Sequence, residues 1–138
     1  MKKRSLFRLI ISLIFLSTSS SVVFGQGRSS SASEPAVCNQ PQTQTEISNC
    51  AAALYKQADR LLNEVYKQVI SKLNRREREK LIDEQLGWIR RRDPTCKNKV
   101  LSTNRIDERG SLYPTYLNGC LETLTQQRTA ELEKYLQK

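Results

Sequence analysis

The chain has 138 residues, with 23 Lys and Arg against 14 Asp and Glu, a formal charge of +9, and no histidine. That length suits one small domain. The lack of histidine excludes Ser-His and Cys-His catalytic pairs and any zinc site that needs an imidazole. No C-x-x-C spacing occurs among the four cysteines, so neither a metal centre nor a cofactor is expected.

The first segment reads as an address. Lys2, Lys3, Arg4 and Arg8 open the chain with no acid nearby, and Leu9-Ile10-Ile11-Ser12-Leu13-Ile14-Phe15-Leu16 follows as an apolar run. Val23-Phe24-Gly25 then puts a small residue where a signal peptidase cuts. The run of about eight residues falls well short of the roughly 20 that a spanning helix needs. Residues 1–25 are therefore expected to be an export signal, with an uncleaved anchor as the alternative. The mature protein is expected to be periplasmic or secreted and free of the membrane. Removing the signal takes away four bases and no acids, which leaves 19 bases against 14 acids, a charge of +5. This charge favours anionic envelope polymers. It is too modest to argue for nucleic acid, and export argues against that partner as well.

Residues 26–37, QGRSSSASEPAV, hold little to bury and read as a flexible Ser-rich leader. The foldable unit is residues 38–138. Thr43-Gln44-Thr45-Glu46 is a capping box. Behind it, Ile47, Cys50, Ala51, Leu54, Ala58, Leu61, Leu62, Val65, Tyr66, Val69, Ile70 and Leu73 recur at spacings of three and four. The pattern predicts a helix over about 44–73 with one apolar stripe. Asn74-Arg75-Arg76 offers a turn. A second helix carries Leu81, Ile82, Gln85, Leu86, Trp88, Ile89 and Arg92, and Pro94 is expected to end it near Arg92. Residues 97–112 lack periodicity and read as a long loop. A third helix is expected from Tyr113-Pro114, with Leu117, Cys120, Leu121, Leu124, Arg128, Leu132, Tyr135 and Leu136 on its inner stripe. No strand or repeat is evident. The expected fold is all-α, a small antiparallel bundle of three main helices.

An even number of cysteines in a short exported chain points to disulfides. Four cysteines allow three pairings. Cys38–Cys50 and Cys96–Cys120 are favoured because each joins topologically adjacent segments, but the sequence leaves the choice open.

Taken in order, several segments form a pattern. Cys38, Thr43-Gln44-Thr45-Glu46-Ile47-Ser48-Asn49-Cys50-Ala51, Tyr55 and Ala58-Asp59-x-x-Leu62-Asn63-x-x-Tyr66 open it. Gln85-x-x-Trp88-Ile89-x-x-Arg92-Asp93-x-x-Cys96, Gly110-Ser111 and Cys120-Leu121-x-x-Leu124-Thr125-x-x-Arg128-x-x-x-Leu132 complete it. This resembles the LprI-type lysozyme-inhibitor family, also known as the DUF1311 domain. The resemblance implies an exported helical domain, of which at least one relative inhibits lysozyme.

The residues themselves have two readings. Asp59, Asn63 and Tyr66 share one helix face, and Gln85, Trp88 and Arg92 share another. With Asp93 and Arg128 they are expected to form a polar network between helices. The alternative is a contact patch, since Trp, Tyr and Arg are enriched at binding hot spots. Arg90-Arg91-Arg92 complements a helix C-terminus, or joins Arg75, Arg76 and Arg78 in binding a polyanion. For an inhibitor, residues 97–112 are the expected contact segment. Asn104, Arg105, Arg109 and Ser111 could meet the carboxylates of a glycosidase cleft, with Trp88 as a further contact. The partner would be lysozyme or another peptidoglycan hydrolase. The alternative function is an envelope module that binds anionic polymer without inhibition. An enzyme is not expected: Asp83 and Glu84 are adjacent and diverge, while Glu46 reads as a cap and Glu64 as a surface residue. Oligomeric state is not legible.

Overall fold

A computed structural model describes residues 33–103 and 106–137. The expected export signal and most of the Ser-rich leader lie outside the described residues. A single 3-10 turn, Ala36–Cys38, precedes three helices: α1 (Gln44–Lys72), α2 (Arg75–Leu101) and α3 (Tyr113–Leu136).

Local chemistry explains where the helices start. Thr43 accepts a hydrogen bond from the Glu46 N–H, and the Glu46 carboxylate accepts from the N–H groups of Gln42 and Thr43. Those backbone donors hold the Glu46 carboxyl below its ordinary pKa. Asn74 and Glu77 make the same reciprocal cap at α2. Leu73 and Asn74 alone separate α1 from α2. Arg78 pins this turn by donating to the carbonyls of Ile70 and Leu73. Pro114 occupies the first turn of α3, where its missing N–H costs nothing.

Tertiary pairings give the direction of each helix. Ser48 at the start of α1 meets Thr115 at the start of α3. Gln85 meets Arg128, and Cys96 is bonded to Cys120. So α1 and α3 run the same way and α2 runs against both, in an up-down-up bundle. The all-α architecture expected from periodicity is the one found.

The two ends of the bundle are built differently. At the α1–α2 turn, Leu62, Val65 and Val69 pack with Leu81 and Leu132, flanked by Tyr66, Trp88 and Leu136. Full burial of such side chains contributes roughly 1.5–3 kcal/mol each. At the other end α1 supplies Ala51, Ala52 and Ala53, which are small and half-buried. Covalent staples hold that end. Cys38–Cys50 ties the lead-in segment to α1, and Cys96–Cys120 ties α2 to α3. This is the pairing favoured from the sequence. Chain-entropy arguments assign each loop about 3 kcal/mol.

Several sequence expectations fail in detail. Pro94 does not end α2, which continues to Leu101. Pro94 is exposed, while Cys96 and Val100 beyond it are buried. Their burial and the Cys96–Cys120 bond outweigh the hydrogen bond that the carbonyl of Arg90 loses. The helix accordingly takes up the expected loop as far as Leu101. Ile82, Leu86 and Ile89 face outward, as does Ile47. In α2, only Leu81 and Gln85 of the expected stripe are buried, with Trp88 and Arg92 half-covered. In α3, Leu124 and Tyr135 leave the core and two threonines enter it. Thr125 is fully buried, and Thr129 is buried with its hydroxyl donating to the Thr125 carbonyl.

Candidate functional site

The polar residues singled out from the sequence form two separate clusters. In the first, Arg92 lies between the rings of Tyr55 and Trp88, 5.3 Å from each centroid. Its Nε donates to Asp93 at 2.7 Å and its Nη1 to Asp59 at 3.2 Å. Asn63 donates to the carboxylate and carbonyl of Asp59. Burial opposes the charge on Arg92. Hydrogen bonds to Asp93 and Asp59 and the adjacent Tyr55 outweigh it, so the guanidinium titrates above its ordinary value. Burial raises the Tyr55 phenol despite the nearby cation. This cluster couples α1 to α2.

The second cluster couples α2 to α3. Arg128 donates through Nε to the side-chain oxygen of Gln85 at 2.9 Å and through Nη1 to Glu131 at 2.8 Å. Its Nη2 and the Thr125 hydroxyl are buried and have no hydrogen-bond partner. Tyr66 joins neither cluster and packs against the apolar core. The carboxylates in both clusters are engaged with arginines.

The stapled end carries a different set of groups. Asp107 accepts from the backbone N–H of Arg109 at 2.7 Å, which closes a local turn. The Gly110 N–H donates to the Asp107 carbonyl. Glu108 is bonded to Lys97 at 2.7 Å, and that contact raises the Lys97 pKa. Gln44 donates to the Ser111 carbonyl and to Thr115, fastening the loop to α1. Arg109 projects outward, its side chain 94% exposed, with its Nε 3.7 Å from Asp107.

The expected contact residues are therefore not one patch. Arg109 and Ser111 sit together in the loop, while Asn104 and Arg105 lie outside the described residues. Trp88 is under Arg92, roughly 20 Å along α2 from its C-terminal end at 1.5 Å per residue. Sequence reasoning missed Glu131, which was findable as the acid three positions after Arg128. It also placed Tyr55 only within a pattern, although Tyr55 stands one turn before Asp59.

A groove, not anticipated from the sequence, lies beside the loop. It has a volume of about 920 Å³, with walls from Val100, Ile106, Leu112, Tyr116 and Leu124 and with Lys99 among its lining residues. Gly119 and Cys120 line it from α3. Among the described residues, no group of three or more His, Cys, Asp or Glu is placed to hold a metal ion. No described helix is long and apolar enough to cross a membrane.

These features can be set beside known proteins. An uncharacterised protein of Rhizobium meliloti (strain 1021) is 28% identical over 113 residues, covering 72% of this chain and 78% of its own. No solved structure gives a significant match. Residues 37–132, a span holding both disulfides, both arginine clusters and the core as far as Leu132, match the sequence model of the family described as lysozyme inhibitor LprI, and the chain belongs to that family.

Proposed function

We propose that the protein is an exported, non-enzymatic inhibitor of a lysozyme or related peptidoglycan-cleaving enzyme, acting through the loop at its stapled end. The observation that carries this reading is the disposition of charge in the loop. Asp107 is used by its own turn and Glu108 by Lys97, while Arg109 points outward. Each acid of the loop is thus engaged, Asp107 also lying 3.7 Å from the Arg109 Nε as its ion-pair partner, and the exposed Arg109 is the cation that the paired carboxylates of a glycosidase cleft would draw from it. Gln44 and the Cys96–Cys120 bond fix its base, which lowers the ordering cost of binding. A charge-assisted hydrogen bond made there is worth roughly 1.5–3 kcal/mol. The net charge of the exported part adds no long-range attraction to a basic lysozyme, so recognition rests on contact.

Truncating Arg105 and Arg109 together to alanine is expected to weaken inhibition of peptidoglycan lysis at least tenfold. Inhibition unchanged in that double variant would sink the loop as the contact. A second reading draws support from Arg76, Arg90 and Arg91, which are exposed and have no ion-pair partner among the described residues. On this reading the protein binds anionic envelope polymer. That binding would fade as salt rises from low to physiological strength, and it would survive loss of Arg105 and Arg109.

A further inference from the structure

We propose that the groove beside α3 is a binding site for a single-chain amphiphile, an apolar tail with an anionic head, separate from the Arg109 contact although Ile106 and Leu112 of the same loop form part of its wall. Three observations point to this chemistry.

The first is Gly119. It lies inside α3, where glycine weakens a helix relative to alanine. Nothing in the fold requires it: no described glycine has a positive φ, and a Cβ built at Gly119 meets no atom within 4 Å. What the missing side chain does create is depth, because Gly119 lines the groove.

The second is shape. The groove follows α3 from Thr115 to Gln127, roughly 18 Å at 1.5 Å per residue. Its volume of about 920 Å³ falls within the roughly 300–1,000 Å³ of small-molecule sites. Leu112 and Tyr116 on its wall are 44% and 53% exposed, so apolar surface is on offer there. The Cys96–Cys120 bond joins the two helices that form it.

The third is charge. Among the described residues, no carboxylate lines the groove, and Lys99 is the one charged side chain on it. Lys99 has no ion-pair partner among the described residues. An apolar channel with one free ammonium accepts an acyl chain ending in a carboxylate, and disfavours a cationic head.

Calorimetric titration of the purified, disulfide-bonded protein with monomeric laurate tests this. One saturable site is expected, with dodecyltrimethylammonium bound at least tenfold more weakly. Gly119→Leu, which fills the groove from α3, is expected to weaken laurate at least tenfold while the thermal midpoint stays at or above that of the wild type. Thr123→Phe blocks the same groove and serves if the first variant fails to fold. Lys99→Glu is expected to reverse the preference between the two head groups. The proposal is overturned by an absence of saturable laurate binding, or by laurate binding that the folded blocking variants leave unchanged. Equal affinity for the two head groups overturns it too, as does binding to anionic vesicles without binding to laurate monomers.

Discussion

Arg92 is only 11% exposed at its side chain, and its guanidinium is held by two rings, each 5.3 Å away, and by two carboxylates. A planar, forked cation fits that slot and an ammonium does not. Arg92→Ala is expected to lower stability by about 2–4 kcal/mol, and Arg92→Lys to recover less than half of the loss. Urea unfolding measures both, and a lysine variant as stable as the wild type would refute the stacking argument. Thr125 is the opposite case. Its hydroxyl is buried and has no partner, so the site bears a desolvation cost for nothing in return. Thr125→Val is expected to raise stability by about 1 kcal/mol. Lower stability in the same unfolding assay would mean that the hydroxyl is satisfied after all. The arginine clusters were partly legible because spacing of three and four places residues on one helix face. Spacing does not say which opposing residue completes a pair, so Gln85 rather than an aspartate as the partner of Arg128 could not be read. Thr125 and Thr129 are not legible as core residues because a polar type carries no apolar periodicity.

At the scale of the elements, α2 shows where local rules yield to tertiary structure. The proline rule stops the helix near Arg92; burial of Cys96 and Val100 and a covalent bond to α3 carry it to Leu101. If Pro94 is tolerated rather than needed, Pro94→Ala restores a donor for the carbonyl of Arg90. A gain of about 2 kcal/mol is expected, the interior proline cost of about 3 kcal/mol less the entropy returned to the unfolded chain. Destabilisation in urea would assign Pro94 a packing role that its exposure does not suggest. Helix starts were more legible than this helix end. Thr43-Gln44-Thr45-Glu46 and Tyr113-Pro114 carry their own hydrogen-bonding logic within a few residues. The outward turn of Ile82, Leu86 and Ile89 was hidden because two adjacent stripes of a helix share nearly the same period, and only the packing partner selects between them.

The whole molecule divides its labour between its ends. An apolar cluster supports the α1–α2 turn, and the arginine clusters lock the middle of the bundle. Disulfides replace large side chains at the end where the loop and the groove lie. That distribution suits a binding protein whose contact surface must be rigid without being apolar throughout. The bundle was legible from periodicity, whereas cysteine order favoured the pairing found without choosing it. The groove was not, because it arises from the absence of a side chain at Gly119 and from three segments that meet only in space. Inhibition is expected of the folded, correctly bonded domain. The decisive measurement titrates the oxidised protein, its Cys38–Cys50 and Cys96–Cys120 bonds confirmed by mass mapping, against several lysozymes lysing peptidoglycan. Saturable inhibition near one protein per enzyme is the expected result. No inhibition of any of them by the correctly bonded protein would contradict it.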